Sequence, residues 1–123
     1  MSKRNIVHIE IPAADTAKAA KFYQDLFGWK TTREENMDYT LWEPAEGPGS
    51  GFVPLIGFVK PGDVLVYIDS DDIEADLKQV EKLGGKIFRQ KTEITGIGWF
   101  GIFTDPTGNM IALYTSKNPD YNK

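Results

Sequence analysis

The chain has 123 residues, 41% of them apolar and 26% charged, which is the composition of a globular domain that buries its own core. The sequence contains no cysteine, so disulfides, thiolate metal sites and cysteine nucleophiles are excluded. The net charge is −4, and the basic residues are scattered among more numerous acidic ones, which argues against a nucleic-acid partner. This acidity favours solubility or, as a sharper alternative, a cleft for a cationic ligand.

No sequence pattern directs the chain to a membrane or to secretion. The first residues lead straight into a strand-like run, without the apolar core of a signal peptide. No apolar stretch approaches the roughly 20 residues that span a bilayer. We therefore expect a cytoplasmic protein with no membrane partner.

The first half of the chain is predicted to form a strand, a helix and three further strands. Residues 6–11 alternate between apolar and polar side chains, which is the period of a strand. Asp15 or Thr16 then caps a helix that ends at Gly28. The apolar stripe of this helix comprises Ala19, Phe22, Tyr23, Leu26 and Phe27. The strand-like segments that follow are 29–32, 39–42 and 51–58.

The second half repeats this order. Residues 64–68 form a strand, Asp71 or Asp72 begins a helix, and Asp71 with Glu74 has the spacing of a capping box. Gly84 ends the helix. Its apolar stripe comprises Ile73, Leu77, Val80 and Leu83. The strands that follow are 86–88, 99–104 and 110–114.

The two helix-ending glycines reveal an internal repeat, because Gly28 and Gly84 are separated by 56 positions (84 − 28). Half a chain of this length cannot bury both faces of a curved sheet, so the halves should pair. We predict an α+β fold in one domain, residues 1–123, made of two βαβββ modules at about 5–58 and 63–115. The modules form a curved mixed sheet around a cleft, with the helices on the outer faces and a polar tail at 116–123.

Three segments resemble the vicinal oxygen chelate superfamily, which includes glyoxalases, extradiol dioxygenases and bleomycin-resistance proteins. They are Val-His-Ile-Glu-Ile-Pro at 7–12, Phe-Tyr-Gln-Asp-Leu-Phe-Gly-Trp at 22–29, and Asp-Pro-Thr-Gly-Asn at 105–109. The resemblance covers about residues 5–115. It implies paired βαβββ modules around a cavity, often within a homodimer, and a scaffold that carries lyases, isomerases, oxygenases and binding proteins.

The resemblance also implies four strand positions that bind one divalent metal in the metal-dependent members. The first is His8, and the second lies in the strand near 51–55, which has no donor side chain. The third falls at about Leu65 and the fourth at Ala112, neither of which can donate. We therefore expect no complete metal centre and no cofactor, as in the glyoxalase-like branch that keeps the first histidine and loses the later ligands.

His8 and Glu10 are the polar candidates for a site, because they share one face of the first strand about 7 Å apart. One interpretation is that the two side chains contact a ligand or act as acid and base. The other is that His8 has a structural role and Glu10 lies at the rim of the cleft. Together they also suggest a partial metal site, with an incomplete set of ligands.

Aromatic side chains supply the walls of the predicted site, with ordinary core packing as the alternative. Because side chains alternate along a strand, Tyr67 shares a face with Leu65, and Tyr114 shares a face with Ala112. Both tyrosines are therefore predicted on the cleft side. The parity of Trp99 against Phe100 is open. The aromatic residues predicted to bind the ligand are Trp42, Tyr67, Trp99 and Tyr114.

These observations favour a glyoxalase/bleomycin-resistance-like protein that binds a small organic molecule in the cleft without a complete catalytic metal. The first alternative is a metal-dependent lyase or isomerase of the lactoylglutathione lyase type, with an unusual ligand set. The second is an interaction module with a vestigial cleft. We expect a homodimer.

Overall fold

The computed structural model describes residues 3–34, 39–55 and 60–118. It confirms the α+β fold and the βαβββ order of both halves. The described residues contain β1 (Ile6–Pro12), α1 (Thr16–Phe27), β2 (Lys30–Glu34), β3 (Tyr39–Glu43), β4 (Ser50–Val53), β5 (Leu65–Asp69), α2 (Ile73–Lys82), β6 (Lys86–Ile94), β7 (Gly98–Thr104) and β8 (Met110–Ser116). They divide into two compact units, Val7–Leu65 (the first module) and the remainder of the chain (the second module).

In the first module, the strands pair in the order β2-β3-β4-β1, with β1 parallel to β4 and the other pairs antiparallel. Asp15 caps α1 by accepting a hydrogen bond from the Lys18 amide at 3.0 Å. Gly28 ends the helix in the left-handed conformation, at φ 73°, where glycine has no steric penalty. Between helix and sheet lie Ala20, Trp42, Phe52, Ile9, Ile11, Ala13, Ala19, Tyr23 and Trp29.

The second module has the same topology, β6-β7-β8-β5, with β5 parallel to β8. Asp72, rather than Asp71, caps α2, because its carboxylate accepts a hydrogen bond from the Ala75 amide at 3.0 Å. The two caps are therefore 57 positions apart (72 − 15), one more than the glycines. The core comprises Ile73, Leu77, Leu113, Ile68, Ile87, Trp99 and Phe103.

The predicted apolar stripe of α1 matches the buried side of the helix only at Ala19 and Tyr23, which pack against the first-module core. Thr16 and Ala20 are buried, whereas Phe22, Leu26 and Phe27 are each more than half exposed. The helix is apolar on more than one side, and the side that packs on the sheet carries Thr16, Ala20 and Tyr23. On α2 the stripe is correct at its first two positions, but Leu83 is 70% exposed.

Some strand limits also differ from the prediction. Residues 51–58 were expected to form one strand, but β4 ends at Val53, and 56–59 lie outside the described residues. β6 runs on to Ile94 through two irregularities in its pairing with β7. The tail begins later than expected, because Ser116 closes β8 and the Lys117 amide donates to the Ile97 carbonyl at 2.9 Å.

Neither helix of the described residues is long and apolar enough to cross a membrane. The cleft between the modules, and the grouping of both modules into one domain, stay predictions.

Candidate functional site

The two faces of the first-module sheet carry different chemistry. Ile9, Ile11 and Phe52 pack towards α1. Because side chains alternate along a strand, His8, Glu10 and Gly51 lie on the other side, which we call the far face. Glu10 and Gly51 are direct partners in the parallel β1–β4 pairing.

Three polar side chains meet on this far face. The Tyr39 hydroxyl, from the start of β3, lies 2.6 Å from His8 Nε2 and donates a hydrogen bond to Glu10 Oε2 at 3.0 Å. His8 Nε2 and Glu10 Oε2 are themselves 3.8 Å apart. The side chains of His8 and Glu10 are 27% and 18% exposed, so the group is partly shielded but open to solvent. We call these three residues the His8–Tyr39–Glu10 cluster.

Burial fixes the protonation of His8, because it lowers the pKa of the imidazole from 6.5 to about 4. The ring is therefore neutral near pH 7. Since the Tyr39 hydroxyl donates to Glu10, its oxygen is the acceptor for His8, which assigns the imidazole proton to Nε2. The hydrogen bonds then run in one direction, from the imidazole through the phenol to the carboxyl group.

Gly51 makes room for the Tyr39 ring. A Cβ atom added at Gly51 would overlap the Cζ, Cε1 and hydroxyl oxygen of Tyr39. Gly51 is also the β4 partner of Leu41, two residues after Tyr39 on the same face of β3. The absent side chain at position 51 therefore lets Tyr39 lie across the sheet and reach β1.

The positions that would hold the family's divalent metal do not fit that ion. The second position lies in β4, where Gly51 offers no donor and its space is filled by Tyr39. Leu65 and Ala112 have apolar side chains. Among residues 3–34, 39–55 and 60–118, no three His, Cys, Asp or Glu side chains are grouped closely enough to hold a metal.

Two of the four predicted aromatic residues lie on the helix-facing side. Trp42 is 5% exposed and stacks on Trp29 at 4.2 Å between ring centroids, inside the first-module core. Trp99 packs with the core beneath α2, and the ammonium groups of Lys91 and Lys117 each lie 5.2 Å from its ring centroid. Both placements follow strand alternation, which puts these tryptophans on the side of the core and not on the far face.

Tyr67 and Tyr114 lie where parity predicts, away from α2. Tyr67 is the direct partner of Ala112 in the β5–β8 pairing, and Leu113, the next residue, packs in the helix-side core. Tyr67 is 8% exposed. The Tyr114 hydroxyl lies 3.4 Å from the Ile97 carbonyl, across from Phe100 on β7. Their contact with a ligand stays a prediction.

Sequence reasoning missed Tyr39. Two signals could have found it. Tyr39 has the opposite strand parity from Trp42, so only one of these two aromatics can share a face with His8. A glycine inside a strand, here Gly51, often marks a close approach of another group.

A family model and a relative of this chain show the family to which it belongs. The model of the Glyoxalase/Bleomycin resistance protein/Dioxygenase superfamily matches residues 5–113. A glyoxylase-like domain-containing protein of Didymella fabae is 35% identical over 118 residues, 87% of this chain and 90% of that protein. The anthracycline biosynthesis protein DnrV of Streptomyces peucetius is 26% identical over 128 residues, 85% of this chain but only 44% of its own length.

A solved structure shows the same fold at low identity. Methylmalonyl-CoA epimerase from Mycobacterium tuberculosis aligns with a TM-score of 0.74 and 17% identity, covering 95% of this chain and 90% of the epimerase. At that identity the likeness concerns the fold alone.

Proposed function

Because the chain belongs to the Glyoxalase/Bleomycin resistance protein/Dioxygenase superfamily, we propose that it binds a small organic molecule through the His8–Tyr39–Glu10 cluster, without a catalytic metal. The convergence of these three polar side chains from two strands carries the proposal. A few placed polar groups on a partly shielded surface are what small-ligand sites use to orient a ligand.

The cluster is suited to recognition by hydrogen bonds. His8 is neutral near pH 7 because of its pKa of about 4, so the cluster presents an uncharged imidazole, a phenol and a carboxyl group. A hydrogen-bonded cluster of this kind is held in one geometry before the ligand arrives, which lowers the entropic cost of binding. The similarity to DnrV, an anthracycline biosynthesis protein, is consistent with a small organic ligand.

Ligand screening on metal-free protein tests this function. Protein treated with a chelator and desalted is screened by thermal shift against small metabolites and antibiotics. We expect ligands that raise the melting temperature, with affinities that fall by roughly tenfold or more in Glu10→Gln and His8→Ala. Glu43→Gln is the matched control, because Glu43 shares the parity of Tyr39 on β3 but is exposed outside the cluster.

Two results would contradict the proposal. One is a screen in which no compound stabilises the metal-free protein. The other is a ligand whose affinity falls equally in Glu10→Gln and Glu43→Gln, since that would mean a general effect of charge and not contact with the cluster.

A metal-dependent lyase or isomerase is the second candidate. It is favoured by one observation, the 3.8 Å separation of His8 Nε2 and Glu10 Oε2, which are both donor atoms for divalent ions. This candidate predicts isomerisation of a hemithioacetal that disappears with a chelator and returns with metal. Such activity in the wild-type protein would replace the metal-free proposal.

We also propose that the chain forms a homodimer in the cytoplasm. The exposed apolar side chains of α1 support self-association, since Phe22, Leu26 and Phe27 are each more than half exposed on one helix. Light scattering after size-exclusion chromatography measures this directly. A monomer at high protein concentration would contradict it.

A further inference from the structure

We propose that Tyr39 is the specificity-determining residue of this site: its hydroxyl takes the place in which a divalent metal would bridge His8 and Glu10. The site is then one for organic ligands that are bound by hydrogen bonds, such as those with hydroxyl, amide or amine groups, and not by chelation. This inference deepens the proposed function and rests on it for the choice of ligand.

The first step of the argument is a distance. A divalent ion lies about 2.1 Å from an imidazole nitrogen or a carboxylate oxygen, so two such ligands can be up to about 4.2 Å apart. His8 Nε2 and Glu10 Oε2 lie within that limit, at 3.8 Å. The Tyr39 hydroxyl bonds to both atoms, at 2.6 and 3.0 Å, which are hydrogen-bond lengths. The phenol therefore occupies the bridging place.

The second step concerns Gly51. It is the direct β1–β4 partner of Glu10, so a donor side chain there would project towards His8 and Glu10 and add a third ligand. Because a Cβ atom at this position overlaps the far end of the Tyr39 ring, a side chain there would displace the ring from its present place. A tyrosine at position 39 and a donor at position 51 are thus alternative ways to complete the same face.

The third step concerns how many metal ligands this face could provide. With Tyr39 removed and a carboxylate at position 51, His8, Glu10 and residue 51 would provide three nitrogen or oxygen donors within one module. Three protein ligands with an open position are the common pattern of a zinc site that keeps water or substrate. Wild-type protein reaches neither condition, because the tyrosine and the glycine are both present.

Titration with metal ions alone tests this inference. Chelator-treated wild type, Tyr39→Ala, Gly51→Asp and the double variant Y39A/G51D are titrated with Zn²⁺ and Ni²⁺ in a calorimeter. We expect the double variant to bind one ion per chain, roughly tenfold or more tighter than wild type. Adding His8→Ala to the double variant should abolish the gain.

The second module offers a matched control. Phe100→Ala with Ala112→Asp removes the ring and adds a carboxylate at the corresponding strand positions, where the first strand carries Leu65 and Tyr67 in place of His8 and Glu10. This variant adds a carboxylate at a position that has no neighbouring imidazole or carboxylate equivalent to His8 and Glu10. We expect no gain in metal affinity.

Several outcomes overturn the inference. One is a wild-type protein that retains an ion after desalting. Another is a folded double variant that binds metal no better than wild type, and a third is an equal gain in the control. If circular dichroism shows that Y39A/G51D does not fold, Y39L/G51D replaces it, because leucine is too short to reach across Gly51.

The metal titration and the ligand screen test the two proposals separately, so either proposal can be refuted without the other. The titration contains no organic ligand, so its result decides the role of Tyr39 whether or not the screen succeeds. A wild-type protein that binds no organic compound would refute the proposed function and leave the metal titration unaffected.

Discussion

The far faces of the two modules differ in chemistry although their strands pair in the same way. In the first module, Gly51 on the last strand is paired with Glu10 and Leu41. In the second, Ala112 is paired with Tyr67 and Ile102. Two residues before Leu41 is Tyr39, and two residues before Ile102 is Phe100.

The register therefore relates the residues at four pairs of positions. They are Glu10 and Tyr67, Gly51 and Ala112, Leu41 and Ile102, and Tyr39 and Phe100. Only the first-module set contains a carboxyl group and, with His8, an imidazole. At these positions the same scaffold thus carries a polar set in the first module and a set of aromatic and aliphatic side chains in the second. The following experiments test whether this difference is functional.

The largest expected effect is at Gly51. Gly51→Ala forces a Cβ atom into the far end of the Tyr39 ring, and overpacking of this kind costs up to about 3 kcal/mol of unfolding free energy. The corresponding Ala112→Gly should cost only about 1 kcal/mol, through backbone entropy and a lost methyl contact. Urea unfolding measures both. In a Tyr39→Ala background the cost of Gly51→Ala should shrink, and an unchanged cost would show that the ring is not the obstacle.

The next effect is the titration of a histidine, which only the first module contains, since Leu65 occupies the position equivalent to His8. The folded chain keeps His8 neutral down to its pKa of about 4, whereas the unfolded chain takes up the proton below about 6.5. The unfolded state therefore binds more protons in this window, so stability falls as the pH drops from 6.5 to 4 and levels off below. Because the side chain is 27% exposed, we expect a loss of about 2 kcal/mol.

The measurement is the difference between wild type and His8→Gln at each pH. This difference cancels the contribution of the carboxylates to the pH dependence of stability, because they titrate in both proteins. Wild type should lose stability relative to the variant between pH 6.5 and 4 and not above. A difference that does not change with pH would mean that His8 is as protonated in the fold as in the unfolded chain.

The hydroxyl of Tyr39 comes third. Tyr39→Phe removes the bonds to His8 and Glu10 while keeping the ring over Gly51, and we expect a loss of about 1–2 kcal/mol. Tyr114→Phe is the second-module control, with a loss of about 0.5 kcal/mol, because its bond to the Ile97 carbonyl is long at 3.4 Å. Equal losses would remove the distinction between the two faces.

The fold was predictable because its signals are local. Strand alternation, aspartate caps and helix-ending glycines specify each βαβββ unit, and of the two candidates for the second cap, Asp71 and Asp72, the structure selects Asp72. The side that α1 buries was predictable only in part from apolar spacing. Tyr23 packs on the core as expected, but Phe22 and Leu26 are as apolar and remain exposed. Spacing describes a stripe, and only the sheet selects which stripe is covered.

The site was predictable only in part for a related reason. His8 and Glu10 share a strand, so their common face follows from alternation alone. Tyr39 joins them from a strand that is two places away in the sheet, which depends on the pairing register and on the missing side chain of Gly51. The aromatic character of Trp42 suggests a ligand-binding residue, but its position along β3 places its side chain in the core. Contacts between strands need the register, which a single sequence does not supply.

The smallest expected effect concerns an anchor that only the second module has. Arg4 forms a two-pronged ion pair with Asp76 on α2, and Ser70 donates to the same carboxylate at 2.6 Å. Burial alone would raise the pKa of Asp76, but the hydrogen bonds from Arg4 and Ser70 lower it below its usual value. The caps of the two helices are 57 positions apart, so the residue of α1 that corresponds to Asp76 is Ala19. Alanine cannot form this ion pair, and α1 therefore lacks the anchor. Asp76→Asn should cost about 1 kcal/mol.

Asp25→Asn on α1 is the matched control for this anchor. It breaks the Lys21–Asp25 pair, whose side chains are 76% and 65% exposed, and should change stability by less than about 0.5 kcal/mol. Denaturant unfolding of both variants at low and high salt separates the two cases, because salt screens an exposed pair more than a partly buried one. If Asp76→Asn is as mild as Asp25→Asn, the contact between Arg4 and Asp76 is only a surface ion pair and does not anchor α2.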